Sequence, residues 1–228
     1  VRWLTGAVAV VAVAVVLAGM VGTANAMFLS GHDFHVLLWV SVVAGVVALL
    51  AGAAVGTALS RWSHALQEEA RRITTAAADD DVTLRITGGV AIGLRCPSAT
   101  QPPLQREYAD IDCVSSGRQR QEVTALFERL GYQPDPAFNA IHAQSRLFFW
   151  DTANNRQLDV FVDKVQMCHT IDLRGRLDTH PQTLSLADLL LTKLQIVETN
   201  HKDLIDILAL LTDHPFTQDE SGINLAYL

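Results

Sequence analysis

Two carboxylates stand one residue apart at the start of an apolar, β-branched segment. Asp110 and Asp112 flank Ile111, and strand side chains alternate with period two, so both carboxylates would lie on one face of a strand. A third carboxylate, Asp159, lies in the apolar run 158–162, which could form a neighbouring strand. Mg²⁺ prefers oxygen ligands and keeps several waters, so a few carboxylates suffice to hold it. The three aspartates therefore predict a magnesium site.

A glycine pair precedes these aspartates in the chain. Residues 82–87 predict a short strand, residues 90–94 predict the start of a helix, and Gly88-Gly89 lies between them. Glycines at such a turn let a phosphate approach the backbone and meet the free N–H groups of the helix N-terminus. The pair is not a P-loop, because Gly-Lys-Ser/Thr is missing, and its spacing to Gly93 does not fit a dinucleotide fingerprint.

Helices and a hairpin would position these residues. Residues 119–130 have apolar side chains at the helical period, and two strand-like runs, 141–150 and 157–165, are joined by turn residues that predict a hairpin. A capping-box pattern opens a helix over residues 185–197, and another helix follows over 202–212. This order of elements predicts an α+β fold in which a mixed sheet is flanked by helices.

Composition separates a hydrophobic N-terminal part from a soluble remainder. Of the 228 residues 50% are apolar, with the excess concentrated in residues 1–60. The net charge of −7 argues against non-specific binding to nucleic-acid backbones, which needs clustered Lys and Arg, and leaves room for a local basic groove. Three cysteines without a CxxC motif indicate reduced thiols in a cytosolic domain rather than a disulfide framework.

Two uncharged segments of membrane-spanning length lie within residues 3–59. They run from Trp3 to Leu29 and from Val36 to Leu59, and about 20 apolar residues cross a bilayer as a helix. The alternative for the first is a signal peptide, since Ala24-Asn25-Ala26 has the form of a cleavage site, but its length favours a retained span. Arginines lie before the first span and after the second, and the intervening loop has no Lys or Arg. This bias places the soluble domain on the cytoplasmic face of the inner membrane.

The predicted domains are a two-span membrane segment (residues 1–60), a juxtamembrane helix and linker (61–81) and an α+β domain (82–228). In order and composition the membrane segment and the start of the juxtamembrane helix resemble the input region of a bacterial sensor histidine kinase. No phospho-acceptor histidine helix and no glycine-rich ATP lid follow it. Gly52 and Gly56 match the small-residue pattern that would pack the second spans of a homodimer, and ordinary glycine usage explains them equally well.

The order Gly-Gly, Asp-x-Asp and a later third Asp resembles that of the nucleotidyltransferase superfamily, over the segment Arg85 to Leu211. The resemblance is to bacterial proteins near the abortive-infection toxin branch, which implies a toxin–antitoxin role, and to minimal or antibiotic-modifying nucleotidyltransferases. It implies a nucleotidyltransferase-like fold with matching site residues at Gly88, Gly89, Asp110, Asp112, Asp159, Lys193 and Asp203. The family usually has Gly-Ser at the turn, and this chain departs from it at Gly89.

The resemblance implies transfer of a nucleoside monophosphate from an NTP, such as ATP, to a hydroxyl or phosphate acceptor on RNA, protein or a small molecule. In-line attack at the α-phosphate needs its charge neutralised, which two Mg²⁺ ions about 4 Å apart accomplish. Asp110 and Asp112 would hold the metals, Asp159 would complete the site and accept a proton, and Lys193 would contact the β- or γ-phosphate. Arg106 contacts phosphate or base, or pairs with the aspartates. The alternative is a nucleotide-binding or signalling module that has the fold without turnover.

Overall fold

The structure is a computed structural model that describes Gly19 and residues 31–228. The first predicted span, residues 3–29, lies outside the described residues. The chain divides into two compact units, residues 1–61 and residues 62–228, and each is considered separately.

Helix α1 (Gly31–Asp79) provides the described part of the first unit. Its segment His35–Ala54 has a mean hydropathy of 2.5 over 20 residues and is long and apolar enough to cross a membrane. Only 6% of that segment is buried. In the part of the chain that the structure describes, this is the one helix with that length and composition, and it overlaps the second predicted span.

The C-terminal part of α1 belongs to the core of the second unit. Leu66, Ala70, Ile73 and Ala77 are 0 to 1% exposed, and their spacing puts them on one face of the helix. Residues 74–79, whose composition predicted a linker, are the last turns of this helix. Burial of an apolar stripe explains why the alanine-rich segment is helical and packed rather than flexible.

The remaining elements of the second unit follow in chain order: β1 (Leu84–Thr87), α2 (Gly88–Arg95), β2 (Ile111–Ser115), α3 (Arg120–Arg129), β3 (Gln133–Pro134), α4 (Pro136–His142), β4 (Arg146–Asp151), β5 (Arg156–Val162), β6 (Lys164–Gln166), β7 (Thr170–Asp172), α5 (Leu186–Leu194), α6 (His201–Asp213), β8 (Phe216–Thr217) and β9 (Ile223–Asn224). The helices predicted within 119–130, 185–197 and 202–212 are present, and so is the hairpin, as β4 and β5. Residues 141 and 142, predicted as strand, instead end α4, which Asp135 caps by accepting a hydrogen bond from the Phe138 N–H.

A five-stranded sheet in the order β1-β2-β5-β4-β3 forms the centre of the unit. Strands β2 and β5 run parallel, and the other neighbouring pairs are antiparallel, so the sheet is mixed as predicted. Burial alternates along β4: Leu147 and Phe149 face the core, where Phe149 packs on Phe127 of α3 with ring centroids 4.8 Å apart. The opposite face of β4 carries Arg146 and Phe148. The fold is thus a mixed α/β domain with flanking helices.

The register of the sheet fixes one row of side chains across four strands. Thr87 lies opposite Asp112, Asp112 lies opposite Asp159, and Asp159 lies opposite Phe148. Residues directly opposite each other on neighbouring strands point to the same face. The row therefore places two carboxylates side by side on one face of the sheet.

Candidate active site

The structure brings the three predicted carboxylates together. Asp112 on β2 and Asp159 on β5 are direct partners in parallel strands, whose backbones lie about 4.8 Å apart. Asp110 is the residue directly before β2, and because it is two residues from Asp112 its side chain lies on the same face. Parallel pairing of β2 and β5 is therefore the structural reason that residues 47 positions apart in sequence share one site.

Asp112 is the most strongly perturbed carboxyl group of this cluster. Its pKa is raised from 3.8 to about 7, chiefly by burial and then by the negative charges of Asp110 and Asp159, while the positive charges of Lys193 and Arg146 act in the opposite direction. Within the described part of the chain, neither Asp110 nor Asp112 accepts a hydrogen bond or forms an ion pair. These two carboxylates have oxygen atoms open to a cation and a local field that favours one.

Asp159 differs from its two neighbours, because both of its oxygens are engaged. Oδ1 accepts a hydrogen bond from Arg146 Nε at 2.7 Å, and Oδ2 accepts one from Gln157 Nε2 at 3.2 Å. Among residues 31–228, no group of three or more Asp, Glu, His or Cys side chains is arranged to surround a single ion. The donor set still suits Mg²⁺: Asp110 and Asp112 offer unpaired carboxylates, while the positive charge of Arg146 opposes a cation at Asp159.

Gly88 and Gly89 are the first two residues of α2, at the turn where the chain leaves β1, and neither leaves room for a side chain. Gly88 has φ +63°, and a Cβ there would lie 2.5 Å from Asp112 Oδ2. A Cβ on Gly89 would collide with the guanidinium of Arg106. The hydroxyl of Thr87, the N-cap residue of α2, is buried and has no hydrogen-bond partner. The turn therefore holds the N-terminus of α2 against Asp112 on one side and Arg106 on the other.

Two buried cations lie beside this turn, and one aspartate holds both. Arg106 donates from Nε and Nη2 to the two oxygens of Asp206, each at 2.6 Å. Lys193 Nζ lies 2.8 Å from Asp206 Oδ2 and 2.9 Å from Asp203 Oδ1. All four side chains are at most 12% exposed. Arg106 thus pairs with an aspartate, as one of its two predicted roles required, but that aspartate is Asp206 rather than Asp110 or Asp112.

Asp203 has a structural role as well as its contact with Lys193. Its side chain accepts a hydrogen bond from the backbone N–H of Asn200, while the Asn200 side chain accepts from the N–H of Asp203, which is a capping box at the start of α6. This cap fixes the first turn of α6, and Asp206 lies one turn further along the same helix. The predicted residue Asp203 therefore orients Lys193 and the helix that carries Asp206.

Sequence reasoning missed two site residues, Asp206 and Arg146. Asp206 follows Asp203 at i+3, so it lies on the same side of α6, and that spacing is a usable signal. Arg146 is brought to Asp159 by the hairpin register, in which Asp151 pairs with Arg156. The register depends on the turn between the strands, which the residue pattern alone does not specify.

The site as a whole is negatively charged. Lys193 and Arg106 are balanced by Asp203 and Asp206, and Arg146 balances one of the three carboxylates on the sheet. Two carboxylate charges, those of Asp110 and Asp112, remain when all groups are ionised. A polyphosphate cannot approach such a site without added positive charge, so the arrangement suits an anion that binds together with divalent cations.

No protein-family model matches the chain. No curated protein sequence matches it. Solved structures with some similarity include the antibiotic-resistance factor ANT(2'')-Ia in solution, with 17% identity, a TM-score of 0.40, and coverage of 61% of this chain and 78% of the other. The lincomycin-bound lincosamide antibiotic adenylyltransferase LnuA has 17% sequence identity and a TM-score of 0.41, and the match covers 62% of this chain and 94% of the other. ANT(2'')-Ia in complex with adenylyl-2''-tobramycin has 15% sequence identity and a TM-score of 0.41, and the match covers 63% of this chain and 86% of the other. Sequence identities and TM-scores this low do not establish that this chain shares the fold or the activity of those proteins.

Proposed function

We propose that this protein is a Mg²⁺-dependent nucleotidyltransferase that moves a nucleoside monophosphate from an NTP to a hydroxyl or phosphate acceptor on RNA, protein or a small molecule. The observation that carries the proposal is the register of the sheet, which pairs Asp112 with Asp159 next to Asp110 and against the Gly88-Gly89 turn. Carboxylates for cations and a helix N-terminus for phosphate are the two things that this chemistry needs in one place.

The carboxylates divide the work by their surroundings. Asp110 and Asp112, which have no protein partner, would hold the divalent cations, and bound Mg²⁺ would neutralise the triphosphate and lower the pKa of the attacking hydroxyl. Asp159 is 1% exposed and lies next to Asp112, so it is placed to complete the cation site and to accept the proton of the acceptor once Arg146 leaves it.

The glycines at the start of α2 and two basic residues would bind and orient the triphosphate. Gly88 and Gly89 present the first N–H groups of α2 without a side chain in the way. Lys193 supplies a positive charge to the β- or γ-phosphate, and Arg106 is held by Asp206 where a side chain at residue 89 would otherwise lie. Preorganisation by Asp203 and Asp206 means that neither cation must be ordered when the nucleotide arrives.

The site would work at the cytoplasmic face of the inner membrane. The apolar segment His35–Ala54 is long enough to span a bilayer, and it continues without a break into the part of α1 that packs in the core of the second unit. Arg61, Arg71 and Arg72 follow the apolar segment, which favours the cytoplasmic side for that end.

One observation favours a second candidate, a nucleotide-binding or signalling module without turnover: Arg146 and Gln157 occupy both oxygens of Asp159. The full-length chain in detergent or nanodiscs, incubated with each NTP labelled at the α-phosphate, Mg²⁺ and a cell extract, separates the two. Transfer of label that is lost in Asp110→Ala and Asp112→Ala supports the enzyme. Saturable binding of NTP without a labelled product supports the binding module.

A further inference from the structure

Arg146 and Asp159 form an ion pair in the middle of the proposed catalytic face. The Arg146 Nε to Asp159 Oδ1 distance is 2.7 Å, and the Asp159 side chain is 2% exposed whereas that of Arg146 is 40% exposed. The guanidinium lies over the rings of Phe161 and Phe138, with its central carbon 5.1 and 5.9 Å from the ring centroids. Arg146 therefore reaches from the solvent-accessible rim of the site down to a buried carboxylate.

This contact sets Asp159 apart from the two unpaired carboxylates. Asp110 and Asp112 can accept a cation as they stand, whereas Asp159 is bound to a guanidinium, which competes with a cation for the same oxygen. A guanidinium and a divalent ion cannot share that oxygen lone pair, and their like charges repel. Arg146 therefore opposes binding of a divalent cation at the third carboxylate, and another anionic partner for Arg146 would remove this opposition.

A phosphate group is the natural alternative partner. Arginine binds carboxylates and phosphates with the same planar fork of N–H donors, so one can replace the other without loss of hydrogen bonds. The exposed part of the Arg146 side chain can receive such a group from solvent, and its guanidinium lies over the ring of Phe161. Exchange would neutralise the incoming anion and release the carboxylate in one step.

We propose that Arg146 is an anion-binding residue that exchanges Asp159 for a phosphate group of the ligand, so that anion and divalent cation bind with positive coupling. The proposal rests on the function proposed above, because it assumes that Asp110, Asp112 and Asp159 bind divalent cations. Coupling is reciprocal: an anion that draws Arg146 away tightens cation binding by the same factor by which the cation tightens anion binding.

The test measures binding of Mn²⁺, as a spectroscopic substitute for Mg²⁺, to the full-length chain in nanodiscs by electron paramagnetic resonance. Sulfate serves as the anion, since it has the shape and charge of a phosphate group, and chloride at equal ionic strength is the reference. We expect sulfate to tighten Mn²⁺ binding to the wild type by about five-fold, a change of about 1 kcal/mol that is in the range for breaking one ion pair.

Three variants locate the effect. Arg146→Gln should bind Mn²⁺ about five-fold more tightly than the wild type without sulfate and should show no response to sulfate. Arg118→Gln removes the same charge from an exposed residue at the start of the 3₁₀ turn before α3 and should behave as the wild type. Arg146→Lys keeps the charge but not the fork, and should respond to sulfate less than the wild type; it gives the same test if the glutamine variant does not fold.

A full sulfate response in the Arg146 variants, or unchanged Mn²⁺ affinity in Arg146→Gln, would overturn the exchange and leave the proposed function standing. Absence of any Mn²⁺ binding by the wild type would overturn both.

Discussion

Replacing Asp112 by asparagine should stabilise the metal-free protein at neutral and alkaline pH. The folded protein raises the pKa of Asp112 to about 7 from its ordinary value of 3.8, so between these pH values the folded chain holds a proton that the unfolded chain has released. Stability must then fall as the pH rises through this window and reach its lower plateau above the folded pKa. The asparagine side chain has nearly the same shape and no charge, so it removes this penalty.

The size of the effect follows from the same pKa values. One pKa unit corresponds to 1.36 kcal/mol, so the penalty above pH 7 is at most about 4 kcal/mol, and about 3 kcal/mol of it develops between pH 5 and pH 8. Partial exposure of Asp112 and screening by solvent reduce this upper value. For a domain of this length 1 kcal/mol corresponds to about 2 to 4 °C, so we expect a difference of several degrees at pH 8.

The assay is thermal unfolding of the full-length chain in detergent with EDTA, at steps between pH 5 and pH 8. Asp112→Asn should melt above the wild type at pH 8, with the difference shrinking towards pH 5. Glu122→Gln, a change at an exposed carboxyl group on α3, should follow the wild-type profile. Mg²⁺ in place of EDTA should raise the melting temperature of the wild type at pH 8 more than that of Asp112→Asn. Parallel profiles for the wild type and Asp112→Asn would refute the reasoning.

Further predictions concern the glycine turn. Gly88→Ala should lower the free energy of unfolding by about 1 to 2 kcal/mol because of its positive φ, and by more because of the contact with Asp112; nucleotide transfer should be lost. Gly131→Ala, at φ +91° with open space around it, should cost only the backbone strain and keep full transfer. Thermal melts and label transfer check both. Gly89→Ser should displace the Arg106 guanidinium and weaken NTP binding. Arg106→Ala itself removes a buried partner of Asp206 and costs stability, but the double variant should lose less than the sum of the two single losses; additive losses would show that the two positions are independent.

The sequence predicts which face of each strand carries the carboxylates better than it predicts the charge network around them. The two-residue spacing of Asp110 and Asp112 is a property of a single strand, and so is the apolar run around Asp159. Alternation of side chains along each strand is enough to place each carboxylate on one face. The pairing of Asp112 with Asp159 depends on the parallel contact of two strands separated by α3, β3, α4 and β4, which local pattern does not encode.

The basic residues of the site likewise depend on contacts between distant segments that the local sequence pattern does not predict. The departure from Gly-Ser at Gly89 looks, from sequence, like the loss of a phosphate-binding hydroxyl. In the structure the space beside Gly89 is filled by the Arg106 guanidinium, which Asp206 fixes from a helix 100 residues later. Such compensation between distant positions is visible only when the packing of α2 against α6 is known.

The central claim is that the sheet carboxylates transfer the α-phosphoryl group of an NTP with its nucleoside. It is tested most directly by incubating the full-length chain and a cell extract with Mg²⁺ and one NTP carrying its label either at the α- or at the γ-phosphate, side by side with Asp110→Asn. The account predicts that an acceptor gains the α-label and not the γ-label, that pyrophosphate is released, and that the variant gives no product. Transfer of the γ-label, or α-label transfer that persists in Asp110→Asn, would contradict it.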